Sequence, residues 1–135
     1  MISSRQYELL HHNWRQLGGT EFEDFLANVF QALGFEVTRT GRTGDAGLDL
    51  LVVGKGKRLA VQAKGYPSGA SAGTAAVQEA GYSKLRHNCD EAIAITNTYF
   101  SGPAKRAAMN QDTGETIVTL IDQSEIENLI SGKLY

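Results

Sequence analysis

Two apolar runs separated by a short glycine-flanked turn constrain this chain more than any other feature. Gly47-Leu48-Asp49-Leu50-Leu51-Val52-Val53 and Arg58-Leu59-Ala60-Val61-Gln62-Ala63-Lys64 flank Gly54-Lys55-Gly56-Lys57. Each run is aliphatic and β-branched, bounded by glycine, and reads as a strand. A connection this short pairs the two antiparallel as a hairpin. With the turn centred between Lys55 and Gly56, Val53 lies opposite Arg58. The register then continues as Val52 with Leu59, Leu51 with Ala60, Leu50 with Val61, and Asp49 with Gln62.

Directly opposed residues share a face, and neighbours along a strand alternate. One face therefore carries Leu48, Leu50, Val52, Leu59, Val61 and Ala63, all apolar. The other carries Asp49, Leu51, Val53, Arg58, Ala60, Gln62 and Lys64. A carboxylate, an amide and an ammonium thus gather at one end of one face, beside a glycine-rich approach. A hard cation such as Mg²⁺ takes oxygen ligands of this kind, from carboxylate, amide or backbone. A lysine beside it suits stabilisation of charge on a phosphate. The same residues also read as a cross-strand ion pair on a solvated face, and their spacing alone does not separate the two.

Gly44-Asp45-x-Gly47-x-Asp49 followed by Gln62-x-Lys64 resembles the catalytic signature of the Mrr-type branch of the PD-(D/E)xK nuclease superfamily, in which glutamine takes the second acidic position. Further marks follow in order: Thr20-Glu21-Phe22-Glu23, Gly34-Phe35-Glu36-Val37, and Thr96-Asn97-Thr98-Tyr99-Phe100 with Ala104 and Ala107. Together they span about Gly19 to Ile130. Leu48 stands where the family usually has proline, and Gly65 where relatives often have a basic residue. The resemblance implies a restriction-endonuclease-like α/β fold and a Mg²⁺-dependent endonuclease (Mn²⁺ an alternative ion) that hydrolyses phosphodiester bonds in DNA, double-stranded first. It implies Asp49, Gln62, the Ala63 backbone carbonyl and Glu23 as metal ligands, Glu23 directly or through water. Lys64 would act on the attacking water or the phosphate, and Asp45 would be an auxiliary ligand. Glu21 is the fallback for Glu23. Gln78 and Glu79 fall near where the family places polar residues facing the metal, and no role is assigned to them. A neutral Gln62 implies weaker Mg²⁺ binding than Gln62→Glu would give.

At 135 residues the chain suits one domain with a real core: residues 1–18 as an accessory helix and 19–135 as the catalytic core. The net charge of −2 provides no global basic field, so nucleic acid must be met by a local patch. Arg39 and Arg42 before the acidic cluster, Tyr66 after Lys64, and Lys105 on a later helix are the candidate nucleic-acid contacts; for Arg39 and Arg42 ordinary loop solubility is the competing reading, for Tyr66 packing on its own loop. One cysteine, Cys89, precludes an internal disulfide and suits a reducing, cytoplasmic setting. No apolar run is long enough to span a membrane, and the first residues lack the apolar core of a signal peptide.

Tyr7, Leu10, Trp14 and Leu17 predict a first helix over 4–17, opened by a Ser3–Gln6 capping box. A second copy docking through this helix is a possible homodimer contact. Adjacent His11 and His12 diverge on a helix and do not suggest zinc. A second helix over 21–33 carries a wide stripe from Phe22 to Leu33, with Thr20 and Glu23 as a capping box and Gly34 after its end. There follow a strand over 35–40, the hairpin, a helix over 72–87 with Ala72, Ala75, Ala76 and Ala80 for close packing, a strand over 91–97, a helix over 104–110, a strand over 116–121 and a last helix through Ile130. This order predicts an α/β domain with a mixed central sheet and helices on both faces. Other readings are a structure-selective nuclease or RNase, or a nucleic-acid binder that does not cut. Nothing in the chain is left over for a separate DNA-reading domain.

Overall fold

The computed structural model describes residues 1–40 and 49–135, with the side chain of Asp49 excluded. Arg42 and Asp45 therefore lie outside the described residues. Five strands form one sheet in the order β1-β2-β3-β4-β5: β1 is Glu36–Arg39, β2 Asp49–Gly54, β3 Lys57–Lys64, β4 Glu91–Thr96 and β5 Thr119–Ile121. The first three pair antiparallel, and β3–β4 and β4–β5 pair parallel. The helices are α1 Ser4–Leu10, α2 Gly19–Ala32, α3 Thr74–Arg86, α4 Gly102–Ala107 and α5 Ile126–Ile130. Among the described residues no helix is long and apolar enough to cross a membrane.

The hairpin register is the expected one, from Gly54 opposite Lys57 to Asp49 opposite Gln62. Lys55 (φ 54°) and Gly56 (φ 75°) both take positive φ. That is the mirror-image two-residue turn whose twist matches paired strands, and glycine removes half of its strain.

The sheet faces differ in residue size. On one side Leu50, Val52, Leu59, Val61, Ile93, Ile95 and Ile121 pack with Phe22, Leu26, Val29 and Phe30 of α2, Leu9 of α1 and Leu129 of α5. On the other, Ala92 and Ala94 meet Ala76, Val77 and Ala80 of α3 and Ala104 of α4. Small residues on both partners let α3 lie close to the sheet. Ala75, expected in that contact, is exposed.

Helix ends follow local chemistry. Ser3 and Gln6 form the expected capping box, with Gln6 N–H to Ser3 Oγ at 3.1 Å and Ser3 N–H to Gln6 Oε1 at 2.8 Å. At the end of α2 Gly34 takes φ 97°. Phe35 N–H reaches Phe30 O at 3.0 Å and Gly34 N–H reaches Gln31 O at 3.0 Å, a paired closure that satisfies the last carbonyls.

Three expectations need correction. The first helix stops at Leu10, and Leu9 rather than Tyr7 is its buried residue. The chain turns so that Trp14, 1% exposed, enters the core from a single 3-10 turn over Trp14–Gln16. The second helix begins at Gly19 with Gly18 as its N-cap and no side-chain cap, so Thr20 and Glu23 form no capping box. Only Thr119–Ile121 of the last expected strand pairs with β4, while Thr116 bridges to Met109.

Asn97 ties the segment that follows the break to the sheet. Its amide donates to Trp14 O at 3.1 Å and Leu17 O at 2.8 Å, and its Oδ1 accepts from Tyr66 N–H at 2.9 Å. These bonds hold the N-terminal segment against the end of β4. Beside it, Gly65 is packed so tightly that a Cβ there would meet Phe22 Cβ at 2.6 Å and Gly18 O at 3.0 Å. The absence of a basic residue at position 65 thus has a steric cause.

Two stability changes are expected. Asn97→Ala removes three hydrogen bonds to backbone groups, one buried and two part-buried, and should lower unfolding free energy by about 1–3 kcal/mol in urea denaturation. Gly65→Ala should cost about 1–3 kcal/mol by overpacking, read as a lower midpoint in the same measurement.

Candidate active site

Several elements end together at one edge of the sheet. Antiparallel and parallel pairing bring Arg39 at the end of β1, Asp49 at the start of β2, Lys64 at the end of β3 and Thr96 at the end of β4 to this side. The first turns of α2 reach the same end, since Phe22 lies against Gly65.

Gln62 and Lys64 alternate with Ala63, which belongs to the large-residue core, so they face α3. Gln62 is fully buried and Lys64 is 9% exposed. Burial of a lysine to this degree calls for a partner, and α3 supplies one. Lys64 Nζ lies 3.0 Å from Glu79 Oε2, and Gln62 Nε2 donates to the same oxygen at 2.8 Å. One carboxylate oxygen therefore gathers the amide and the ammonium. Glu79's side chain is 45% exposed, which limits what this ion pair adds to stability. The Gln62 Oε1 atom is buried and accepts no hydrogen bond among the described residues. A buried amide oxygen without a partner costs about 1–3 kcal/mol, and it is a hard oxygen donor of the kind Mg²⁺ takes.

A second pair lies at the same end, on the α2 side. Glu23 is 4% exposed, and Arg39 Nη1 approaches its Oε1 at 3.7 Å while the other guanidinium nitrogen bridges to Asp24. Glu21, by contrast, is exposed. Arg39 thus spends part of its charge inside the fold. The Asp49 backbone stands opposite Gln62, as the register required. Among the described residues no three His, Cys, Asp or Glu side chains cluster as a metal site.

The remaining candidates are placed as follows. Tyr66 is half-buried against the α3–α4 cluster. Lys105 lies exposed in α4, whose N-terminus Ser101 caps by accepting from Ala104 N–H at 3.2 Å. Glu79 is the site residue to which sequence reasoning gave no role. A signal was present: Ala76, Glu79 and Ser83 follow at helical spacing, so a carboxylate sits in line with the small residues that approach the sheet.

A mixed five-stranded sheet with helices on both faces is similar to a restriction-endonuclease fold. The family model Mrr_cat, described as restriction endonuclease, matches residues 14–130, and the chain belongs to that family. Among solved structures, the DNA modification-dependent restriction endonuclease AspBHI superposes with a TM-score of 0.57 at 17% identity, over 98% of this chain and 36% of its own. A crystal structure of a protein of unknown function, AF1548, superposes with a TM-score of 0.55 at 22% identity, over 83% of this chain and 59% of its own. This chain thus spans a minor part of the first and little more than half of the second. No curated protein matches the sequence.

The Glu79 contact makes position 62 sensitive to charge. Gln62→Glu would set two carboxylates at hydrogen-bonding distance, and in metal-free protein at neutral pH it should lower the thermal midpoint by several degrees. The loss should shrink when Glu79→Gln is added, as differential scanning calorimetry of the single and double variants would show.

Proposed function

We propose that this chain is the catalytic unit of a Mg²⁺-dependent endonuclease that hydrolyses phosphodiester bonds in double-stranded DNA. Residues 19–135 form the nuclease core and residues 1–18 an accessory segment. The observation that carries the reading is the Gln62–Lys64 pair, buried together at a sheet end, with a buried Gln62 oxygen that has no described partner. Family membership supports the reaction class.

The ion would be held by the Asp49 carboxylate, Gln62 Oε1 and the Ala63 carbonyl, with Glu23 close by. When bound, it supplies a water of lowered pKa and a Lewis acid for the phosphate. The chain's own residues do the rest. Burial of Gln62 fixes its amide plane. Lys64, restrained by Glu79, presents its ammonium where negative charge grows on the phosphate oxygens, and a nearly buried cation does this better than one in water. Arg39, Arg42, Tyr66 and Lys105 would meet flanking phosphates and bases. Because the chain's net charge is −2, such contacts must be local.

The test is cleavage of plasmid, linear and methylated duplex DNA, of single strands and of RNA, with Mg²⁺, Mn²⁺ or EDTA. Duplex DNA should be cut only with a divalent ion. Asp49→Ala and Lys64→Ala should each lower the rate by at least about 10²–10³-fold. Activity that persists in EDTA, or in both variants, would refute the assignment; RNA as the sole substrate would redirect it.

A further inference from the structure

We infer that Glu79 of α3 is a positioning residue that sets the orientation of the Gln62 amide and so turns its oxygen towards the divalent ion. This rests on the nuclease reading above. A primary amide has two different ends. Rotated by half a turn, Gln62 would offer NH₂ where a cation needs an oxygen. An ionised carboxylate only accepts hydrogen bonds, so the group Gln62 turns to Glu79 Oε2, 2.8 Å away, must be its nitrogen. The oxygen then faces the other way, where it is buried without a hydrogen-bond partner among the described residues. The bond is charge-assisted, and the same Glu79 oxygen is held by Lys64 Nζ at 3.0 Å. The amide is therefore locked by a carboxylate that is itself fixed by the neighbouring residue of the motif. Glu79 has the location to do this because Ala76 and Ala80 bring α3 against the sheet.

Two readouts test the assignment on the full chain. The Gln62 side-chain NH₂ is followed by ¹H–¹⁵N NMR in metal-free protein, its cross-peaks identified by their loss in Gln62→Glu. Binding of Mn²⁺ and of Mg²⁺ is followed by titration calorimetry. Glu79→Gln is nearly isosteric and sits on a part-exposed helix face, and its thermal melt checks folding. It should move the Gln62 amide peaks upfield in the proton dimension, because the carboxylate acceptor is gone. It should also weaken metal binding by about 10–100-fold, as loss of a ligand's outer partner does. In a Gln62→Glu background the orientation no longer matters, since a carboxylate offers oxygen from either side; there, adding Glu79→Gln should not weaken metal binding. Unmoved amide peaks would overturn the inference. So would an equal loss of affinity in both backgrounds, which would leave Glu79 acting through its charge alone. A native protein that binds neither metal and cuts no DNA would remove this inference together with the nuclease reading. A native protein that binds metal and cuts, beside a Glu79→Gln variant unchanged in both readouts, would remove only the role of Glu79.

Discussion

The end of β4 holds the rest of the structure in place. Thr96 Oγ1 donates to Lys64 O at 2.7 Å, Asn97 binds Trp14, Leu17 and Tyr66, and Thr98 Oγ1 donates to Ala70 O at 2.6 Å. Three consecutive polar side chains, each at most 4% exposed, thus bind the exit of β3, the following loop and the N-terminal segment. Burying such groups is unfavourable unless every one is hydrogen-bonded. Here they are paired with backbone groups that strand ends and loops would otherwise leave unsatisfied. Lys64, the last residue of β3, owes the fixed position of its backbone to this node.

Asymmetry between the sheet faces decides where chemistry can sit. The α2 face is filled with leucine, isoleucine and phenylalanine and has little room for a polar group away from its edge. On the α3 face alanines meet alanines, and the helix approaches closely enough for a short carboxylate arm to reach the sheet. Gln62 pairs in register with Ala94 of β4, and Lys64 with Thr96. Small neighbours leave the two long polar side chains space to extend. Polar and apolar residues are thus separated by strand alternation.

Much of this was legible because it depends on near neighbours in the chain. The hairpin register follows from Lys55-Gly56 and from the alternation of six apolar residues, and it is correct residue by residue. The Ser3–Gln6 box and the Gly34 closure are likewise local. What could not be read depends on distant partners. A helical repeat from Tyr7 to Leu17 gives way after Leu10, and the segment beyond the break is held by an amide eighty residues from Leu17 in sequence, that of Asn97. The Thr20–Glu23 cap is displaced because α2 starts earlier, with Gly18 as its N-cap, beside Pro67 of the loop after β3. Glu79 was visible as a carboxylate in a small-residue stripe, but its partners on β3 emerge only once the crossover helix has docked.

That docking also bears on why position 62 carries an amide. Two carboxylates about 3 Å apart repel by roughly 5 kcal/mol even at an effective dielectric constant near 20. A glutamate at 62 facing Glu79 would relieve this only by keeping a proton, and holding that proton at neutral pH itself costs stability. Its protonated oxygen would then donate to Glu79, which is the bond the glutamine NH₂ already makes. The amide therefore supplies the donor that Glu79 demands and an oxygen that carries no formal charge, with no proton to lose or gain. Gln62 and Glu79 are for this reason best understood as one unit, whose combined charge of −1 is distributed so that the negative end faces Lys64 and the neutral oxygen faces away.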